Sequence, residues 1–332
     1  MTFIPGQAPD PAAPVARSTG YQRLGRFLLF AVGVAALGAM IHQVGAATIG
    51  TAISRTARWL PLICALDFMW VALEGGALLT LYGAERRSIP GLAWLHVSLV
   101  HYATFMLVPM GRASAELTRA ALIKRYVNRD LAAAGAALMQ SLTMVSNGIT
   151  SLIAASFLVT LAHSRTLLFA VVGNASMLLV LGVLSYLVLR HVKVGGFLGK
   201  KFKKLAEAGP GFDQQFVATK PRHAVALVFC VLGRCLQAVQ YGIIILAVTG
   251  QLSIPHAWIA EGIQMAARSA GDFIPNQVGV TEGAFVFFRE ALDLNGTPAA
   301  AMSIALVARI SNMAVAVVCI LLAQLRLGFS RS

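Results

Sequence analysis

Apolar residues run through this chain in long blocks. Blocks at 24–44, 60–81, 131–162, 167–189, 224–248 and 298–325 each reach the ~20 residues that an α-helix needs to cross a bilayer. No stretch alternates apolar and polar positions over about ten residues, as a membrane β-strand does. The pattern predicts an all-α integral membrane protein with about six spanning helices.

Two further stretches fit no simple crossing. After Arg87, an apolar arm (92–108) is broken at Pro109, Met110 and Gly111, and a second arm runs to Lys124 and Arg125. Both flanking loops are basic, with Arg86 and Arg87 before and Lys124, Arg125 and Arg129 after. Basic loops stay on the cytoplasmic side. Residues 91–125 are therefore expected to enter and leave on one side, as a re-entrant hairpin with Pro109 and Gly111 at its tip. Proline breaks a helix there and glycine accepts unusual backbone angles. The second arm, about 14 residues at ~1.5 Å each, is too short to span. A second hairpin is expected at about 256–292, with Pro275 and Gly279 at its tip. Its flanks carry no Lys or Arg near the arms, so it should enter from outside.

The two halves share landmarks. Ser88, Ile89, Pro90, Ala93 and Trp94 correspond to Ser253, Ile254, Pro255, Ala257 and Trp258. Pro109 with Glu116 corresponds to Pro275 with Glu282, and Ser146-Asn147 to Ser311-Asn312. The offsets are 165, 166 and 165 residues. This spacing predicts an internal repeat: a tail at 1–20, a first repeat at 21–165, a second at 166–326 and a tail at 327–332. Each repeat holds two spans, a hairpin and one further span. Three crossings per repeat are odd, so the second repeat is inverted, a plan that transporters use to rock one half against the other.

Composition sharpens the class. Hydrophobic residues make up 58% and charged residues 12%, against about 25% charged in soluble domains. The net charge of +14 sits mostly between apolar blocks, which argues against nucleic acid as a partner. Arg17, Arg23 and Arg26, the lysine-rich 190–222 loop, and Arg326 and Arg331 place both termini in the cytoplasm. Arg55, Arg58 and Arg165 fall on the other side. Cys64, Cys230, Cys235 and Cys319 lie inside apolar blocks without metal-ligand spacing. The histidines are scattered, so no metal or cofactor is expected.

Six of the thirteen acidic residues fall in membrane-embedded stretches: Asp67, Glu74, Glu116, Glu261, Asp272 and Glu282. Arg112, Arg119, Arg234, Arg268 and Arg309 join them. Each costs about 2.5–3.5 kcal/mol or more against lipid, so they should face a cavity and one another. The arginine fork suits phosphate, and half-helices starting near Gly111 and Gly279 would add positive dipole ends. The candidate substrate-binding residues are Arg112, Glu116, Arg119, Arg268, Asp272, Asn276, Glu282, Arg309 and Asn312. Glu116 and Glu282 have three open roles: holding arginines, binding a cationic headgroup portion, or carrying protons. Salt bridges that only glue helices together are the competing reading, chiefly for Asp67 and Glu74. Arg268 and Asp272, four apart, are expected to pair on one helix face.

The run Asp272-Phe273-Ile274-Pro275-Asn276-Gln277-Val278-Gly279-Val280-Thr281-Glu282-Gly283-Ala284, followed by Arg309, resembles the flippase-like membrane domain of lysylphosphatidylglycerol synthases and their stand-alone relatives. Pro109, Gly111, Arg112, Glu116 and Arg119 fit that family's earlier signature less tightly. The resemblance covers roughly residues 20–326. It implies movement of a lipid, with an anionic or phosphate-containing headgroup, between leaflets of a bacterial inner membrane. It does not extend to a soluble aminoacyl-transfer domain, so synthase activity is not expected. A lipid-synthesising enzyme and further copies of the chain are the partners it suggests. Two other classes compete: a secondary transporter of a small solute, and a membrane-embedded enzyme acting on lipid-linked phosphates. The enzyme reading lacks a P-loop, HExxH or GxSxG motif.

Overall fold

The computed structural model describes residues 56–108, 111–161, 164–191, 209–272, 274, 277–294 and 298–327, with isolated positions at 42, 47, 50, 51 and 54. The expected first span at 24–44 apart from position 42, the tails apart from Leu327, and Pro109, Pro275 and Asn276 lie outside the described residues. Ten α-helices follow in order: α1 (Leu60–Tyr82), α2 (Gly91–Leu107), α3 (Gly111–Ile123), α4 (Arg129–Leu161), α5 (Arg165–His191), α6 (Gly209–Ala218), α7 (His223–Thr249), α8 (Ile254–Gly271), α9 (Val280–Phe287) and α10 (Pro298–Leu327). Among the described residues, five segments, carrying α1, α4, α5, α7 and α10, are long and apolar enough to cross a membrane. They coincide with five of the six apolar blocks read from the sequence.

Local signals set the ends. Pro61 occupies the first turn of α1, where its missing N–H is no loss. Pro90 is extended at the N-cap of α2. Ser253 caps α8, its hydroxyl accepting from the His256 N–H, as a serine N-cap does. Gly250 closes α7 in the left-handed conformation, φ 79°, that glycine adopts at a helix C-terminus.

Helices α2 and α3 pack on each other, and the segment returns beside its starting point. Ser88 Oγ donates to the Tyr126 carbonyl at 2.7 Å, and the Asn128 N–H donates to Glu85 Oε2 at 3.1 Å. Helices α8 and α9 make a second packed pair. Beyond α9, a 3-10 turn at Arg289–Leu292 packs Ala291 and Leu292 into the cluster that holds Ile259 and Ile263 of α8. The α9 helix is shorter than the returning arm expected from the sequence, because this turn takes over at Arg289.

The long helices surround these pairs. α1 lies on α7, α4 on α5, and α10 on both α2 and α9. Small residues permit close approach, as in membrane helix packing: a Cβ added at Gly148 or Gly182 would meet Leu179 or Val145 at under 3 Å. α5 turns Phe169, Val180 and Leu184 outward, 76%, 62% and 54% exposed, a face that suits hydrocarbon and not water.

Candidate functional site

The embedded charges fall into two buried networks and one open cavity. The first network centres on Glu116 of α3, only 3% exposed. Three cationic or imidazole groups converge on its carboxylate. Arg119 Nη2 lies 2.6 Å from Oε2, Arg112 Nη2 lies 3.2 Å from Oε1, and His101 Nε2 of α2 lies 3.3 Å from Oε1. Helical spacing accounts for the first two, since residues three and four apart share a face. Arg112 also reaches Glu74 of α1 at 2.5 Å and Thr143 Oγ1 of α4 at 2.6 Å. One arginine thus ties three helices together.

The second network centres on Glu282 of α9, fully buried. Arg309 of α10 lies across it, with Nη2 donating to Oε2 at 2.8 Å and Nε 2.6 Å from Oε1. The Gly279 N–H donates to Oε2 at 3.0 Å, so the carboxylate also closes the start of its own helix. Arg309 Nη2 donates further to the Gln277 carbonyl at 3.2 Å. Gln277 and Gly279 both have positive φ, 53° and 82°. This sharp reversal between α8 and α9 leaves the Gln277 carbonyl aimed at the arginine.

Asp67 of α1 stands apart from both. It is 1% exposed and accepts from Ser311 Oγ at 2.6 Å. The predicted landmark Ser311 therefore anchors α10 to α1.

Between the two helix pairs lies a polar cavity in two adjoining lobes, which share Phe105, Arg112, Arg268, Asp272 and Gln277. Arg309, Asn312 and Gln264 line the first. Arg234, Gln140 and Asn147 line the second. Four arginines thus border the cavity, against one carboxylate, Asp272. Arg112 and Arg268 lie 5.9 Å and 5.7 Å from the Phe105 ring centre, and Arg234 lies 5.7 Å from that of Trp70. Such cation–π contacts help to fix a guanidinium; Arg112 is held as well by Glu74, Glu116 and Thr143, and Arg234 donates to Gln237 Oε1. The side-chain oxygens of Gln140, Asn147 and Gln264 have no hydrogen-bond partner among the described residues.

The residues predicted from sequence separate accordingly. Arg112, Arg268, Asp272, Arg309 and Asn312 reach the cavity, as does Gly111. Glu116, Arg119 and Glu282 are buried in the networks behind it. Arg309 and Asn312, three residues apart on α10, line the same lobe, as i,i+3 neighbours on one helix face can. Arg268 and Asp272 line the same wall, but among the described residues they form no ion pair. Asp272 is the C-cap that ends α8, still in helical backbone conformation. His101, Thr143, Gln140, Gln264 and Phe105 were missed. The first four are polar side chains inside apolar stretches, and that contrast is the signal that marks them.

Neither a curated protein nor a solved structure matches this chain. A family model does match, over residues 26–320: the lysylphosphatidylglycerol synthase TM region. The matched stretch contains both helix pairs, both ion networks and every cavity-lining residue named above. A multi-pass membrane protein with five long apolar helices and charges gathered inside it agrees with that match, and the chain belongs to the family of lysylphosphatidylglycerol synthase transmembrane regions.

Proposed function

We propose that this protein moves a lipid with an anionic or phosphate-containing headgroup between the leaflets of a bacterial inner membrane. In this reading the α2–α3 and α8–α9 pairs are re-entrant hairpins of an inverted repeat, both termini are cytoplasmic, and the cavity between the pairs is the headgroup's path. The observation that carries the reading is the lining of that cavity: Arg112 and Arg309 reach it while paired with buried carboxylates, and Arg234 and Arg268 reach it with no ion pair among the described residues, against Asp272 alone. Polar lining at membrane depth is tolerated where it borders a cavity, and guanidinium forks match phosphate oxygens in pairs. The contacts of 85–88 with 126–128 support a hairpin that returns to its own side.

A second observation favours a lipid over a small solute. An apolar groove between α2, α3 and α10, lined by Val100, Leu107, Leu122 and Ile320, meets the polar cavity at Val108. A molecule with a charged head and a hydrocarbon tail fits both at once. A wholly polar solute has no use for the groove.

The test is leaflet exchange of fluorescent lipids in liposomes containing the purified protein, with neutral, anionic and lysyl headgroups in parallel. Protein-dependent exchange that selects among headgroups and is lost in Arg268→Ala supports the proposal. Exchange blind to the headgroup, or absent for all of them, removes it.

A further inference from the structure

Glu261 lies midway along α8 and is 1% exposed. Neither of its carboxylate oxygens has a hydrogen-bond partner among the described residues, and it lines neither lobe of the cavity. One turn further along, Gln264 does line the cavity, and two turns along so does Arg268. The positive charges acting on Glu261 are Arg234 of α7 and Arg268 of α8. Among the described residues neither forms an ion pair with it.

The elements packed on α8 define its surroundings. α7 brings Arg234, Cys235 and Tyr241. α9 brings Glu282, already held by Arg309. The 3-10 turn brings Arg289 and Glu290, and Arg289 donates to the Val286 carbonyl. α4 and α5 bury no titratable side chain.

A buried carboxylate escapes the cost of desolvation in two ways, by binding a proton or by drawing in a cation. The two cations whose charge acts on Glu261 are two of the four arginines that border the headgroup cavity. Glu261 and a phosphate therefore compete for Arg234 and Arg268. Resting on the lipid reading above, we propose that Glu261 is a proton-binding site that couples proton movement to headgroup passage. With phosphate on the arginines, Glu261 holds a proton. When the headgroup leaves, Glu261 releases the proton and the arginines turn to the carboxylate. The charge of the site stays constant, and lipid and proton travel together.

The experiment has two readouts. In liposomes, exchange of labelled phosphatidylglycerol is followed with and without an imposed pH gradient. For one proton per lipid, a gradient of about one pH unit supports up to about a tenfold leaflet imbalance. Wild type should accumulate lipid in the direction of proton flow. Glu261→Gln should still exchange lipid without a gradient, at an altered rate, and should build no leaflet imbalance when the gradient is imposed. An unchanged gradient response in Glu261→Gln, a wild type that exchanges lipid but ignores the gradient, or drive by sodium alone would each overturn the assignment. If no lipid is exchanged, the transport reading fails first, and the second readout still decides on the proton. Infrared difference spectra with short-chain phosphatidylglycerol should show a protonated-carboxyl band gained on binding in wild type and absent in Glu261→Gln. A band that persists in the variant, or none in wild type, removes the proton site without reference to transport. Should Glu261→Gln not fold, Glu261→Asp takes its place, and it should retain the band at a shifted position.

Discussion

The two helix pairs carry the same short signature, a break followed by a glutamate, yet they use it differently. In α2–α3, Glu116 gathers Arg112, Arg119 and His101, and Arg112 extends the network to Glu74 on α1. In α8–α9, Glu282 has one arginine, Arg309, borrowed from α10, and it uses its remaining capacity on the Gly279 N–H. The entering arms differ further. α2 buries His101 against the network. α8 carries Glu261, Gln264, Arg268 and Asp272, none of them in an ion pair among the described residues. The difference teaches that one sequence signature places a buried glutamate in both pairs but in differently built networks, and that only the second pair has an entering arm whose charges face open space. Which network a residue joins depends on the neighbours supplied by other helices.

The largest expected effect tests the network of the first pair. Glu116→Ala leaves Arg112 and Arg119 buried with one partner fewer each, and removing one member of a buried ion cluster costs about 3–5 kcal/mol. Thermal unfolding in detergent measures this, and a loss below about 1 kcal/mol would erase the distinction between the two pairs. Glu282→Gln comes next. It weakens the charge-assisted bonds from Arg309 and Gly279, each worth about 1.5–3 kcal/mol, and should also stop lipid exchange. A variant that unfolds without a specific exchange defect, judged per folded molecule, makes the network of the second pair purely structural.

The breaks in the two pairs should fail for different reasons. A Cβ at position 111 would sit 2.1 Å from the Phe105 carbonyl oxygen, so Gly111→Ala should cost about 1–3 kcal/mol by overpacking. At Gly279 the obstacle is the backbone, φ 82°, where an L-residue costs about 1–2 kcal/mol. Gly91→Ala, with nothing within 4 Å, is the control and should stay within about 0.5 kcal/mol. Equal losses at all three positions would show that packing at the breaks is not specific. The smallest stability effect belongs to Arg268→Ala, under about 1 kcal/mol, since no ion pair is lost. Its headgroup affinity should nevertheless fall roughly ten- to hundredfold, the worth of one charge-assisted hydrogen bond. A large stability loss without an affinity change would return Arg268 to the structural class.

Much of the architecture was legible before the coordinates. Five apolar blocks became five long helices because hydrocarbon length and helix rise leave little choice. The breaks at 109–111 and 275–279 were visible because proline and glycine act on the backbone locally. The cavity residues were only partly legible. Arg112, Arg268, Asp272, Arg309 and Asn312 stood out as charges or amides in apolar surroundings. Gln140, Gln264 and His101 carried the same contrast more faintly, and no local rule ranks a glutamine by what it faces.

The sequence by itself determined the class of this protein, five of its long apolar helices, the breaks within two shorter segments and the set of charges that had to be hidden. Those follow from the cost of placing polar groups in lipid, which depends on the chain position by position. Only the tertiary structure decided the partners. Glu116 is closed off and Glu282 is held by a helix distant in sequence. Glu261 is buried with no hydrogen-bond partner among the described residues, while Arg268 faces open space. A buried charge is defined by the groups within a few ångströms of it, and here those groups come from helices that the chain brings together only on folding.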